Sequence, residues 1–340
     1  MGAEKQFRAI VVDKTEPAEG GGAVQTAALR MVDDAFLMPG DVTLRVDYSS
    51  INYKDGLALT GRPGVVRAWP LIAGIDLVGT VESSQDPRWV PGDRVILTGS
   101  GCGENHHGGL AERARVSGEF LVRVPEPQIT AQRAAAIGTA GFTAQLAVLA
   151  LEHAGLTPDS GPVLVTGAAG GVGSTAVALL SRLGYEVHAS TGRSAELGDY
   201  LRGLGATEIV TRDTLSASGR PLQKPVWAGA IDSVGSTPLA SVLAQIRDDG
   251  AVAACGLAQG PDLPTTVLPF ILRGVSLLGI NSVQAPRELR ERAWARLGTD
   301  LDLRLLDSLT STIGLEDSFE AAAAILAGTL HGRTVVNVRR

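Results

Sequence analysis

The sequence predicts an α/β protein in two parts. One part is β-rich and forms a partly closed barrel or sandwich; the other is a six-stranded, doubly wound parallel sheet with helices on both faces. Three observations carry this reading. Short apolar strands separated by turn residues fill the chain up to about Thr130. Strands and helices then alternate regularly. A run of glycines, from Gly167 to Gly173, directly follows one of those later strands.

In the β-rich part, residues 7–12 are an apolar run ending in β-branched side chains, and residues 41–48 (DVTLRVDY) alternate with period two. Residues 75–82, 94–98 and 120–124 read as further short strands, set apart by turn signals such as Pro91-Gly92-Asp93 and the glycine-rich stretch 99–109. Residues 130–153 read as a helix that starts at a threonine cap and is rich in Ala, Leu and Gln. After it come strand 163–166, helix 173–183, strand 186–190 and helix 194–204. Segments 208–210, 229–232, 251–254 and 275–280 complete six strands, with 239–246 between the fourth and fifth. The tail, a helix over 315–328 and a strand over 333–338, is expected to return to the β-rich part. The expected boundaries are therefore 1–130 with 301–340 for the β-rich part, and 131–300 for the doubly wound part.

Composition narrows the function classes. The 42 glycines among 340 residues exceed the usual ~7%, yet they show no G-X-Y period and lie among apolar runs, which excludes collagen and argues against disorder. A net charge of −6 disfavours a broad nucleic-acid surface and leaves room only for a local basic pocket. Two cysteines, Cys102 and Cys255, cannot build a disulfide scaffold or a four-cysteine zinc lobe. The stretches 134–151 and 161–181 have the length of a membrane span, but Gly and polar residues interrupt both. Met1 to Gln6 lack the apolar segment of a signal peptide, and Gln6 breaks the myristoylation pattern that Gly2 suggests. The expectation is a cytoplasmic protein.

The glycine run carries the most specific chemistry. Gly167, Ala168, Ala169, Gly170, Gly171, Val172 and Gly173 sit between a strand and a helix, where a dinucleotide pyrophosphate binds. One glycine allows the tight turn, one lets the backbone approach the phosphates, and one lets helix and strand pack closely. The helix start offers free N–H groups and the positive end of its dipole. The loop lacks the G-K-[ST] ending of an ATPase loop. An NAD site places Asp or Glu about 20 residues farther on, to hold the ribose 2′-hydroxyl. Here that place reads Ser190-Thr191-Gly192-Arg193, with two hydroxyls, an Arg and no acid, which suits the 2′-phosphate of NADPH.

This layout resembles the medium-chain dehydrogenases/reductases, over essentially the whole chain. The resemblance implies a GroES-like catalytic domain and a Rossmann domain. Where the zinc alcohol dehydrogenases of that superfamily have Cys-x-x-Asp and Gly-His-Glu, this chain has Asn52-Tyr53-Lys54-Asp55 and Gly74-Ile75-Asp76. Zinc requires thiolates and imidazoles in tetrahedral array, so no metal is expected, and His106-His107 reads as a loop pair. Among zinc-free members the chain is most similar to the acrylyl-CoA reductase group, also catalogued as quinone oxidoreductases. The segments that carry this are NYKDGLA at 52–58, TGR at 60–62, PLIAGID at 70–76, GENH at 103–106, STGR at 190–193, DSVG at 232–235, LGINSV at 278–283 and GRT at 332–334. Two residues depart from the group's pattern: Asn281 where Asp is expected and His107 where Trp is expected.

The resemblance implies NADPH-dependent reduction of the C=C bond of a short 2-enoyl-CoA, acrylyl-CoA to propionyl-CoA, by hydride transfer to the β-carbon. The alternatives are a quinone or enone reductase sharing every cofactor residue, and a non-catalytic NADPH-binding, redox-responsive protein. Tyr53 is the expected catalytic residue lining the nicotinamide, with Asn52 and Asp55 orienting substrate or cofactor amides. The competing reading makes this a structural loop with Asp55 capping the next helix. Ser233, Gly256, Leu257 and Arg333 are expected at the cofactor, and Arg62 and Arg67 at the CoA phosphates. Residues 275–280, apolar and last in the sheet, form an edge that invites pairing with a second copy, so a homodimer is expected.

Overall fold

The computed structural model describes residues 6–15, 24–216 and 219–340; of the N-terminal stretch read for targeting signals, Met1 to Lys5 lie outside the described residues. The chain divides into two compact units. Unit 1 comprises Met1–Thr139, Ser282–Gly298 and Thr310–Arg340, and unit 2 comprises Ala140–Asn281 and Thr299–Leu309.

Unit 1 begins with β1 (Phe7–Thr15), β2 (Val24–Val32), β3 (Val42–Ile51), the short helix α1 (Tyr53–Leu59), β4 (Leu71–Ile72), β5 (Asp76–Ser84), β6 (Arg94–Thr98), β7 (Arg113–Val116) and β8 (Val122–Arg123). β1 pairs antiparallel with both β2 and β4. The last strand is shorter than the sequence suggests, because Gly118–Phe120 forms a 3-10 turn in front of it. Helix α2 (Ala131–His153) is broken at Gly138, whose φ of 47° and ψ of −157° leave the helical region. Most of its apolar stretch is buried, so it serves as a core helix.

Unit 2 contains β9 (Val163–Val165), α3 (Gly171–Arg182), β10 (Val187–Thr191), α4 (Ser194–Gly203), β11 (Glu208–Thr211), α5 (Asp213–Ser216), β12 (Trp227–Asp232), α6 (Ser236–Leu243), β13 (Ile246–Ala254), α7 (Leu268–Arg273) and β14 (Ser276–Gly279). Its six strands are ordered β11-β10-β9-β12-β13-β14, and every neighbouring pair is parallel. This is the doubly wound order, with the strand sequence reversing between β9 and β12, where such sheets bind ligands at their carboxyl ends. Leu164, Ala230, Val242, Ile246 and Val252 form the buried core against the sheet.

The chain continues through α8 (Arg287–Asp300), α9 (Leu303–Ser308), β15 (Thr310–Gly314), α10 (Ser318–Leu326) and β16 (Arg333–Asn337). As expected for the tail, β16 pairs antiparallel with β3. The sheet of unit 1 runs β15-β16-β3-β5-β6-β8, with β7 on β3, and stays open.

The unit boundaries differ from those expected at three places, the last being 301–309, which belongs to unit 2 rather than to the β-rich unit. The first falls after Thr139, at the Gly138 break, and 282–298 belongs to unit 1. Arg290 of α8 explains the second. Its buried guanidinium donates to the Thr98 carbonyl at 2.8 Å and to the carbonyls of Ser282 and Val283, which fastens this segment to β6. Burial of the charge pulls its pKa down to about 10.

Candidate functional site

Each unit contributes a polar centre. In unit 2 the glycine run turns from β9 into α3. Gly167 takes a φ of 58°, and a Cβ there would stand 2.5 Å from Ser233 Oγ. A Cβ on Gly173 would fall 2.3 Å from the Gly167 carbonyl oxygen, so any side chain would force helix and loop apart. Gly170 is the N-cap of α3 and offers no side-chain cap. The first turn of the helix therefore depends on an outside acceptor, and pyrophosphate fits that need.

The loop is held from below. Ala168 N–H donates to Ser190 O at 3.0 Å, joining it to β10. Tyr200 Oη donates to Ser174 Oγ, which in turn donates to Ala168 O at 3.1 Å. Ser233 Oγ donates to Thr166 O, and Thr166 Oγ1 donates to Asp232 Oδ1 at 2.6 Å. Asp232 Oδ2 accepts from the N–H groups of Val234 and Gly235, and burial raises its pKa. Ser233 and Gly256 pack tightly, since a Cβ on Gly256 would meet Ser233 O at 2.5 Å, while Leu257 is exposed. The Cys255 thiol, pushed up to about 12 by burial, stays protonated.

At the carboxyl end of β10, Ser190 and Thr191 are buried, and Thr191 Oγ1 accepts from Arg193 N–H at 3.2 Å. The Arg193 guanidinium lies 3.6 Å from Glu196. Sequence reasoning missed Arg212, whose guanidinium lies against the backbone of Gly192.

In unit 1 the centre is a buried network at the start of α1. Tyr53 is the first residue of that helix and is 46% exposed. Asn52 and Asp55 point inward: Asp55 Oδ2 accepts from Asn52 N–H at 2.8 Å and Asp55 Oδ1 from Ile75 N–H at 3.0 Å. Burial, with the Asp76 charge nearby, pushes Asp55 up to about 7. Asp76 accepts from Ser50 Oγ at 2.6 Å, Asn52 Nδ2 at 2.8 Å and Thr139 Oγ1 at 2.5 Å. It also accepts from Thr139 N–H, a donor that the break at Gly138 releases from the helix.

Arg333 completes the network. Its Nε donates to Ala136 O at 2.6 Å, Nη1 to Asn52 Oδ1 at 3.1 Å and Nη2 to Ser50 Oγ at 2.9 Å, while Nη2 lies 3.9 Å from Asp76. Burial lowers its pKa. Three sequence expectations need correction here. Asn52 and Asp55 face the interior rather than presenting groups to a ligand, and the Arg333 guanidinium is spent inside unit 1. The capping reading of Asp55 describes the loop better.

Arg62 and Arg67 are both exposed, on the segment that follows α1. His107 is buried. Its Nδ1 accepts from Ile72 N–H, its Nε2 faces Phe36 O, and its ring stacks on Phe36 with centroids 5.1 Å apart. Burial lowers its pKa, which keeps the imidazole neutral and structural.

The fold and these two centres define a two-part nucleotide-dependent oxidoreductase, and comparison with known proteins agrees. Residues 38–126 match the alcohol dehydrogenase GroES-like domain, and residues 171–298 match the zinc-binding dehydrogenase domain. The chain belongs to the medium-chain dehydrogenase/reductase superfamily. It is 52% identical over 98% of its length to an acrylyl-CoA reductase, AcuI, of Ruegeria pomeroyi, spanning 99% of that protein. It is 47% identical to the putative quinone oxidoreductase YhfP of Bacillus subtilis, over 88% of this chain and 92% of that one. The structure of the yhdH oxidoreductase from Salmonella enterica in complex with NADP superposes with a TM-score of 0.93 at 50% identity, covering 97% of this chain and 99% of that one.

The zinc named by the second domain does not fit the residues present. Asn52 and Ile75 offer a carboxamide and a hydrocarbon in place of thiolate and imidazole, and the buried Arg333 guanidinium already supplies positive charge beside Asp76. Among the described residues no group of three or more His, Cys, Asp or Glu is gathered to hold a metal.

Proposed function

We propose that this protein reduces the C=C bond of a short 2-enoyl-CoA, acrylyl-CoA to propionyl-CoA, with NADPH and without a metal. The observation that carries the reading is full-length similarity to an acrylyl-CoA reductase, joined to a β10 terminus that offers hydroxyls and guanidinium and no acid. Bound NADPH supplies hydride to the β-carbon. The chain's own residues do the rest. The 167–173 loop and the uncapped start of α3 hold the pyrophosphate, with Ser233, Gly256 and Leu257 along the cofactor. Ser190, Thr191, Gly192 and Arg193 face the 2′-phosphate. Tyr53, the exposed member of the 52–55 segment, lines the nicotinamide, while Asn52, Asp55, Asp76 and Arg333 hold its helix in place. Arg62 and Arg67 meet the CoA phosphates.

Similarity to a protein named as a quinone oxidoreductase favours the second reading, a quinone or enone acceptor. NADPH oxidation measured side by side with acrylyl-CoA, crotonyl-CoA and a small quinone separates the two. We expect kcat/KM to be highest for acrylyl-CoA, and a higher value for the quinone would overturn the assignment.

We also infer a cytoplasmic homodimer. Edge strand β14 follows directly on α7, and Val267, Ile271 and Leu272 in that stretch are exposed apolar side chains. Light scattering at micromolar concentration reads the mass; a value near 35.2 kDa would reject the dimer.

A further inference from the structure

We infer that Arg212 is the residue that reads the 2′-phosphate of NADPH, and that position 192 is glycine because the Arg212 guanidinium occupies the space a side chain would fill. The inference rests on the cofactor reading proposed above and identifies the specificity-determining cation within it.

The geometry starts from strand register. β10 and β11 run parallel with Thr191 opposite Thr211, so the chain emerges from both strands side by side, as Gly192 and Arg212. Arg212 N–H donates to Thr191 O at 3.1 Å, which extends the ladder by one residue and fixes the start of its side chain. A Cβ on Gly192 would stand 2.7 Å from Arg212 Cζ and 3.0 Å from its Nε and Nη1. The guanidinium therefore lies flat on the backbone at the carboxyl end of β10. In a doubly wound sheet this is where the adenosine ribose sits.

Availability distinguishes the two arginines. Arg193 lies 3.6 Å from Glu196 on its own helix, so part of its charge is already answered. Arg212 is exposed, and among the described residues no ion pair or side-chain hydrogen bond engages its guanidinium. Asp213 follows it in the chain and is exposed as well. A planar fork of donors with unspent hydrogen bonds matches a phosphate dianion, and an acid to favour the 2′-hydroxyl of NADH is missing from the end of β10.

The test is calorimetric titration of the full-length protein with NADPH, NADH and 2′,5′-ADP, comparing the parent with Arg212→Gln, Arg212→Lys and Gly192→Ala. Thermal unfolding checks that each variant folds. Arg212→Gln should weaken NADPH and 2′,5′-ADP by roughly ten- to a hundredfold, the scale of a hydrogen bond to a charged group, and leave NADH within about twofold. Arg212→Lys should retain part of the preference. Gly192→Ala should shift binding in the same direction, because its Cβ displaces the flexible guanidinium rather than backbone. Equal losses for NADPH and NADH, or a preference for NADPH that survives Arg212→Gln, would overturn the inference while leaving the cofactor reading intact. A parent protein that binds NADPH no better than NADH would remove both.

Discussion

Arg333 and Arg212 both border strand ends in regions tied to function, and they live in opposite environments. Arg333 is 2% exposed, and its three nitrogens all donate to Ser50, Asn52 and the Ala136 carbonyl. Arg212 is exposed and lies on a glycine. The same side chain is a positioning element in one region and a contact element in the other. What separates them is whether hydrogen-bonding capacity has been consumed within the fold. Buried groups that answer one another fix geometry, whereas unspent groups at a surface recognise ligands.

The largest expected effect breaks the buried member. Replacing Arg333 by Met leaves Asp76 without its nearby cation, and removing one partner of a buried charge pair typically costs about 3–5 kcal/mol. Arg212→Met, at an exposed site, should stay within about 0.5 kcal/mol. Chemical denaturation of both variants measures the contrast. Similar costs for the two would show that burial does not distinguish their roles.

That contrast also explains what was legible in the sequence. The parallel sheet and the glycine run could be read because apolar periodicity and short motifs are local, and Arg94–Thr98 was bounded correctly from its apolar run. β2 (Val24–Val32) was missed because none of its side chains is fully buried and it carries no clear apolar alternation; pairing with β1 specifies it instead. Helix α8 was missed because it is highly charged, and Arg290 and Trp294 are buried in it only through tertiary packing. Residues 52–55 stand out as a local motif, but Asn52 is held by Arg333, 281 positions away, which no local pattern reveals. Arg212 was missed for a related reason, since only strand register places it beside Gly192.

A second effect sharpens the comparison through pH. Asp55 is raised from its ordinary 3.8 to about 7, so the folded protein holds this proton more tightly than the unfolded chain does. Its contribution to stability is fully present below pH about 3.8 and is lost as pH rises through about 7. Asp55→Asn cannot ionise. The difference in unfolding free energy between the parent and this variant should therefore move in the variant's favour between about pH 4 and 7 and level off above, on the order of a few kcal/mol at most. The amide's single oxygen cannot replace both carboxylate oxygens, which accept from Asn52 N–H, Asn52 Nδ2 and Ile75 N–H, so a constant offset from the lost acceptor is expected at every pH. Parallel pH profiles would show that Asp55 ionises normally in the fold.

The smallest stability effect belongs to Tyr53, the one exposed member of the segment around Asn52. It is 46% exposed, so Tyr53→Phe should change stability by less than about 0.5 kcal/mol. Its effect on turnover discriminates between two roles. In a positioning role the ring is the part of the side chain that matters, and the hydroxyl adds little. In that case Tyr53→Phe keeps kcat within about tenfold of the parent, while Tyr53→Ala, which removes the ring, lowers it further. If the phenol instead delivers the proton to the α-carbon, Tyr53→Phe should lower kcat by roughly 10²–10⁴. The Phe variant thus tests the hydroxyl and the Ala variant tests the ring. We expect the larger loss from Ala because the buried network holds α1 in place, and with it the ring at its first position.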